Sequence, residues 1–345
     1  MENSSFFDKT KHSIAGLVAF YRARSSAIGK IVSALFIAVL AFVVYRYNRQ
    51  LLDAFRLAAG VGWKIVFLPL LFLAWNFFAT LGWKGILDAS SRQTKSRLLK
   101  LYIVRIEAQA LNFILPVSGI GGEALRCAKT SGTRGIKKST TAVILDKITD
   151  IMSELTLAVF GLIAYINMLP SPRFPFMLSC ITLALIAAVI IFWRKIWGMI
   201  NAIWPFSKGK ILTGVLAEDT SLSFASRKSY FFHFAEHALI ACESYFVALM
   251  LGINLDLSGV LIVNAASSAF TLLFIMVPGR IGAFECSTAF AFSILSLSPA
   301  AGISVALIRR ARQILVCIAG LLFLIHNRKS PVINEKACDI PVVQN

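Results

Sequence analysis

The sequence predicts an all-α polytopic membrane protein with about eight transmembrane helices of about 20 residues each. Of its 345 residues, 57% are hydrophobic and only 15% are charged, whereas about a quarter of a soluble domain is charged. Lys and Arg outnumber Asp and Glu by 35 to 17, and they cluster between the apolar runs, as in the positive-inside pattern. That pattern accounts for the net charge, so we expect no nucleic-acid partner.

Eight apolar runs mark the expected spans in chain order: 31–45, 63–83, 140–168, 174–193, 230–251, 257–277, 281–297 and 303–325. We divide the chain into a basic tail (1–30), a transmembrane domain (31–325) and a C-terminal tail (326–345). Basic gaps alternate with charge-poor gaps, and an even number of spans returns the chain to its starting side. We therefore expect a multi-pass protein of the cell inner membrane with both termini in the cytoplasm.

Residues 101–128 are apolar but contain Glu107, Asn112, Pro116 and glycines, so they do not fit a simple span. Basic gaps flank the segment on both sides, which predicts that it enters and leaves the membrane by the same face. Irregular backbone at membrane depth is tolerated where it is buried in protein or lines a polar cavity. The sequence therefore predicts a re-entrant, Gly/Pro-broken segment that lines a site.

An internal two-fold repeat is suggested by residues 113–123 and 275–285. Both stretches have a Pro seven residues before a Glu, with Ile-Gly between them. Interrupted segments at matching places in two halves indicate a transporter's midplane site. Chance similarity in a glycine-rich, hydrophobic chain is the alternative.

Charged residues within apolar runs are candidate site residues, because a charge at a helix centre costs about 2.5–3.5 kcal/mol on insertion scales. Arg126 follows Glu123 by three residues and has the planar geometry that binds phosphate; a mutual salt bridge is the alternative. Asp146, Asp150 and Glu154 are spaced i, i+4, i+8, which places three carboxylates on one helical face. We expect these acids to balance charge or carry protons.

Three arginines interrupt the last apolar run. Arg309 and Arg312 share a helical face, whereas Arg310 points about 100° away from Arg309. These arginines could bind an anion, or they could pair structurally with Glu285 or with the acids of the 146–154 face. For a neutral ligand, we expect the arginines to pair internally.

The sequence His233-x-x-Glu236-His237 matches the inverted zinc-protease motif. Only Glu243, on the same predicted helix, offers a third ligand, so we expect no metal and no catalytic residues. The six cysteines are isolated and indicate neither a disulfide framework nor a zinc site. No cofactor is expected.

Four blocks resemble the flippase-like membrane domain of lysylphosphatidylglycerol synthases: Asn112-x-x-x-Pro116 with Gly121-Gly122-Glu123-x-x-Arg126, Asp146-Lys147-x-x-Asp150, Pro278-Gly279-x-x-Gly282-x-x-Glu285, and Arg309-Arg310-Ala-Arg312. Details of the first and last blocks are similar to the branch associated with hopanoid biosynthesis. The resemblance covers about residues 30–325 and implies a domain that handles an amphipathic lipid. It departs from the family at Lys147, where Arg is more frequent, and at Arg280, where a small residue is common.

We therefore expect a lipid transporter for an amphipathic envelope lipid, either a hopanoid or an anionic phospholipid. The expected lipid site comprises Asn112, Pro116, Gly121, Gly122, Glu123, Arg126, Asp146, Asp150, Glu154, Pro278, Gly279, Gly282, Glu285, Arg309 and Arg312. Its partners would be membrane lipids and other membrane proteins of lipid biosynthesis. The alternatives are a membrane enzyme of the glycosyltransferase or intramembrane hydrolase type, and a non-transporting scaffold of a lipid-biosynthesis complex.

Overall fold

The computed structural model describes residues 48–91, 96–114, 120–168, 220–273, 280 and 282–327. Within these ranges the chain forms a 3₁₀ segment, Gly62–Val66, and nine α-helices: α1 (Asn48–Gly60), α2 (Phe67–Ser90), α3 (Leu98–Ile114), α4 (Ile120–Arg134), α5 (Ile136–Asn167), α6 (Thr220–Met250), α7 (Leu257–Leu273), α8 (Ala283–Ile294) and α9 (Pro299–Asn327). No strand occurs in the described part, so the predicted all-α class is confirmed. The spans predicted at 31–45 and 174–193, the N-terminal tail and residues 328–345 lie outside it.

The chain divides into two compact units, Met1–Asp53 and Ala54–Asn345. Helix α1 crosses the boundary, and it occupies most of the gap that we expected between the first two spans. The first unit is described only from residue 48 onward. All contacts discussed below lie within the second unit.

Two stretches of the described chain are long and apolar enough to cross a membrane. They are Gly62–Ser90, with a mean hydropathy of 2.0, and Ile136–Asn167, with 1.5. Helices α6 and α9 are 31 and 29 residues long, which also exceeds the span of a bilayer core, but each carries charged residues near its middle. The number of spans therefore stays a prediction.

The surface of the described helices is apolar, and many of their buried positions are polar. On α9, for example, the apolar residues Ile314, Ile318 and Leu322 are 49%, 51% and 61% exposed, whereas Arg309 and Arg312 are buried. A soluble protein has the opposite distribution, because water solvates charged groups and excludes apolar ones. The arrangement is that of helices whose outer faces contact lipid.

Glycines allow the helices to approach closely at three contacts in particular. A Cβ on Gly161 of α5 would lie 2.6 Å from the Cβ of Ala265 on α7, and one on Gly302 of α9 would lie 2.6 Å from the carbonyl oxygen of Thr288 on α8. Gly320 of α9 lies against Ile106 on α3 in the same way. Small residues at helix interfaces are typical of membrane bundles, where close van der Waals packing drives association.

The segment that we expected to be re-entrant forms the packed helices α3 and α4. Gly121 and Gly122 lie within the first turn of α4 rather than in a broken segment. The Gly122 N–H donates to Asn112 Oδ1 at 2.7 Å, and any side chain at Gly122 would collide with α3. Gly122 therefore allows α4 to pack closely against α3. Pro116 lies outside the described residues.

The backbone is irregular just before α8. Gly282, its N-cap, has φ +85°, and Arg280 has φ +50°, a region that non-glycine residues seldom adopt. Glu285 accepts a hydrogen bond from the Gly282 N–H at 2.9 Å, as in a capping box. Glu123 and Glu285, the last residues of the two matching stretches, therefore both lie in the first turn of a helix. Pro278 and Gly279 lie outside the described residues, and the two-fold repeat stays a prediction.

Candidate functional site

A polar cavity of about 320 Å³ lies among the helices of the second unit. This volume is at the lower end of the range of about 300–1,000 Å³ for ligand pockets. Side chains from α2 to α9 line it, including Trp75 of α2, Asn112 of α3 and Phe284 of α8. Such a cavity is where the costly charges of a membrane protein are expected to face.

The charged side chains that line this cavity have a positive excess. Seven are cations and four are carboxylates: Arg105, Arg126, Lys147, Arg280, Arg309, Arg310 and Arg312, against Glu123, Asp150, Glu154 and Glu236. The two predicted groups of charges, Arg126 with the acidic face of α5 and the arginines of α9, therefore lie around one cavity. An excess of arginine in a water-poor site favours an anionic group.

The guanidinium of Arg126 lines the cavity and binds two protein carboxylates. It donates to Glu123 at 2.7 Å and to Asp146, and it lies 4.1 Å from the centre of the Trp83 ring. Arg126 and Asp146 are both buried, and Arg105 Nη1 lies 3.4 Å from the same Asp146 oxygen. The salt bridge to Glu123 that was the alternative is therefore present, and direct binding of a headgroup by Arg126 stays a prediction.

The three carboxylates of α5 differ in their surroundings. Asp146 is buried behind the cavity wall, whereas Asp150 and Glu154 line the cavity. Asp150 accepts a hydrogen bond from Lys147 at 2.8 Å. Glu154 has no carboxylate-to-cation contact within 4 Å in the described part of the chain, so it is the acid of this face that remains available to a ligand.

The arginines of α9 divide as their spacing predicts. Arg310 donates to Glu285 at 3.0 Å and to the Arg280 carbonyl oxygen, which fixes the break before α8. Glu285 is therefore a structural partner, and it does not line the cavity. Arg309 and Arg312 are both buried and face the cavity.

Arg309 and Arg312 are not equivalent. Arg312 Nε donates to Glu243 of α6 at 2.7 Å, and Glu243 is fully buried. Arg309 is 6% exposed, and it has no hydrogen bond and no ion pair to any residue that the structure describes; its Nε is a buried donor without an acceptor. Its nearest aromatic neighbour is Phe284, whose ring centre lies 5.4 Å away. A buried donor of this kind is rare in proteins.

Some residues at this site were not found from the sequence. Helix α7 contributes a polar stripe at i, i+3, i+4 and i+7 that faces the cavity: Asn264, Ser267, Ser268 and Thr271. Their helical periodicity within an apolar run was the available signal. Arg105 gave no signal, and Glu243 was considered only as a metal ligand, because the importance of both residues comes from partners on other helices.

The His-x-x-Glu-His residues lie beside this cavity and contact acids of α5. His233 Nε2 lies 2.9 Å from Asp146 Oδ1, and His237 Nε2 lies 3.0 Å from Asp150 Oδ1. The expectation that no further ligand exists off their own helix was wrong, because Asp150 comes from α5. Glu243, the candidate that we had considered, binds Arg312 instead.

Comparison with known proteins identifies the family. A family model described as the lysylphosphatidylglycerol synthase TM region matches residues 26–320. No curated protein and no solved structure matches the chain. Because the match covers most of the sequence, the chain belongs to this family, as the four motif blocks indicated, and it is a membrane protein.

Proposed function

We propose that this member of the lysylphosphatidylglycerol synthase transmembrane family binds and translocates an amphipathic lipid with an anionic headgroup. In this proposal the headgroup enters the cavity and the acyl chains remain in the bilayer. The protein is a multi-pass inner-membrane transporter with both termini in the cytoplasm, and it catalyses no covalent reaction.

Arg309 is the observation that carries the proposal. If the ligand were neutral, as a hopanoid is, we would expect every arginine of α9 to pair with a protein acid. Arg310 and Arg312 do so, through Glu285 and Glu243, but Arg309 does not. Because burying an unpaired charge costs several kcal/mol, a ligand anion is the partner that would offset this cost.

Arg312 supports the same assignment. Among the residues that the structure describes it has one hydrogen bond, from its Nε to Glu243, and it lies one helical turn from Arg309 on the same face. Two guanidinium groups in one cavity repel each other unless an anion lies between them. A phosphate has the charge and the acceptor oxygens to bind both through charge-assisted hydrogen bonds.

The polar stripe of α7 and the carboxylate of Glu154 favour a headgroup that also carries hydroxyl or amine groups. Hydroxyls and amides of the stripe can bind headgroup oxygens, and Glu154 can accept from a donor. Phosphatidylglycerol, which has a phosphate and two hydroxyls, is therefore the probe that we select.

The test compares Arg309→Met with Arg309→Lys and with Lys100→Met, which removes an exposed cation of α3. Lipids retained by each purified variant would be identified by native mass spectrometry. Because a hydrogen bond to a charged group contributes about 1.5–3 kcal/mol, Arg309→Met should weaken phosphatidylglycerol binding about 10–100-fold. Arg309→Lys should lose less, and Lys100→Met should match the wild type.

Transport would be measured in vesicles as the loss of a labelled phosphatidylglycerol from one leaflet. We expect transport by the wild type and by Lys100→Met, and not by Arg309→Met. Lipid binding without transport would instead indicate a scaffold, and covalent turnover of the lipid would indicate an enzyme. Equal retention of a neutral hopanoid by the wild type and Arg309→Met would overturn the anionic assignment.

A further inference from the structure

A second cluster of ligating side chains lies where α5 packs against α6, beside the lipid cavity. Four donor groups meet there: the Asp150 carboxylate from α5, and His233, Glu236 and His237 from α6. Asp150, His233 and Glu236 each present one ligand atom within 4.8 Å of the others. Asp150 Oδ1 faces both imidazoles, at 3.0 Å from His237 Nε2 and 3.8 Å from His233 Nδ1.

The register of the two helices is fixed around this cluster by hydrogen bonds that cross the interface. Thr149 and Ser229 hydroxyls lie 3.1 Å apart, and the Tyr230 hydroxyl donates to Thr156 at 2.9 Å. Gly82 of α2 leaves room for Ser229 and His233, since a Cβ there would lie within 3.3 Å of the imidazole. The four donors are therefore preorganised by the fold.

The position of His233 Nδ1 between two carboxylates marks the place of the cation. His233 Nε2 lies 2.9 Å from Asp146 Oδ1, and this contact orients the ring. Nδ1 lies 2.6 Å from Glu236 Oε2 and 3.8 Å from Asp150 Oδ1. An imidazole nitrogen that faces two carboxylate oxygens can share with them a proton or a metal ion.

We propose that His233 Nδ1, Glu236 and Asp150 bind one divalent first-row transition metal ion, of the Zn²⁺ class. Tetrahedral Zn²⁺ with bonds of about 2.0–2.1 Å to nitrogen and oxygen places its donor atoms about 3.3 Å apart. The two separations from His233 Nδ1, 2.6 Å to Glu236 Oε2 and 3.8 Å to Asp150 Oδ1, lie on either side of that value. One imidazole and two carboxylates are a ligand set that Zn²⁺ accepts.

The surrounding contacts are those of outer-shell partners. Asp146 binds the second nitrogen of His233, which is the carboxylate–histidine arrangement common behind metal ligands. Lys147 binds the other oxygen of Asp150 at 2.8 Å, and Arg105 lies 3.6 Å from the other oxygen of Glu236. With protein donors from both helices, the metal would join α5 to α6 beside the cavity.

The experiment uses the full chain in detergent, stripped with a chelator and then titrated with Zn²⁺ alone. The variants are Glu236→Gln and Asp150→Asn, which keep the size of each side chain. The control is His326→Ala, which removes an exposed histidine at the end of α9. Bound zinc would be measured after desalting, and the visible absorption of Co²⁺ would report tetrahedral geometry.

We expect about one Zn²⁺ per chain and a Zn²⁺-dependent rise in Tm for the wild type and for His326→Ala. Glu236→Gln and Asp150→Asn should lose both, while Arg309→Met should bind Zn²⁺ normally, which separates this proposal from that of lipid binding. Wild-type protein that retains no stoichiometric zinc, or Glu236→Gln that binds it as well as the wild type, would refute the metal site. A proton shared between His233 and Glu236 would then account for the geometry.

Discussion

Replacement of Arg309 by methionine should raise the stability of the protein in the absence of lipid. The 6% exposed guanidinium has no acid within 4 Å among the described residues, and such a charge costs several kcal/mol to bury. A cation–π interaction with Phe284, whose ring centre lies 5.4 Å from the guanidinium carbon, offsets about 0.5–2 kcal/mol of this cost. We therefore expect Arg309→Met to stabilise the protein by about 1–3 kcal/mol.

Replacement of Arg312 by methionine should instead lower the stability of the protein. This change leaves the fully buried Glu243 without its cation, and breaking a buried pair on one side costs about 3–5 kcal/mol. The two residues lie one turn apart on α9 and undergo the same substitution. Differences in size or helix propensity therefore cannot explain opposite signs.

Thermal unfolding in detergent would measure both effects. At about 2 °C per kcal/mol for a large domain, Arg309→Met should raise Tm by a few degrees and Arg312→Met should lower it by more. Added phosphatidylglycerol should raise the Tm of the wild type by mass action and leave that of Arg309→Met unchanged. If Arg309→Met is destabilised as much as Arg312→Met, Arg309 has a structural partner and the reasoning for a ligand anion is wrong.

Three further outcomes are expected. Single cysteines at Lys137 and Asn254 should be labelled from opposite sides of the membrane, since one lies in a basic gap and the other in a charge-poor gap; labelling from one side would contradict the topology. Arg126→Ala should abolish lipid transport at matched expression. Arg126→Lys should restore part of the transport, because an ammonium cannot bind two carboxylates as a planar fork does. Full activity of the alanine variant would contradict this. Gly161→Val should lower stability by about 1–3 kcal/mol by separating α5 from α7, whereas Gly85→Ala, where nothing lies within 4 Å of the new Cβ, should not.

Helical periodicity predicted the parts of the site that lie on one helix. The acids Asp146 and Asp150 do share a face of α5, and Arg309 and Arg312 share a face of α9, because residues three or four apart are neighbours on any α-helix. Arg310 lies off that face, as its angle predicted, and it binds Glu285. These inferences need no knowledge of how the helices pack.

Pairings between helices could not be predicted in this way. Arg312 binds Glu243 across 69 residues, and His233 meets Asp146 across 87. Nothing in the spacing of either residue identifies its partner, because packing alone decides which faces meet. Arg126 shows both cases: its salt bridge to Glu123 was an alternative offered by the spacing, whereas its partner Asp146 on α5 becomes visible only in three dimensions.

The distribution of charge links the stability of this fold to its ligand. Each deeply buried acid has a cation from another helix, as Asp146 has Arg126 and Glu243 has Arg312, so these pairs hold the bundle together and cannot be removed singly without loss of stability. Arg309 makes no ion pair within 4 Å to any residue that the structure describes, and its burial therefore opposes folding until an anion binds. An anion beside Arg309 would also reduce the repulsion from Arg312, so that lipid binding and helix packing reinforce each other. A transporter needs such a group: were Arg309 neutralised by a protein acid, a headgroup would have to break that ion pair in order to bind.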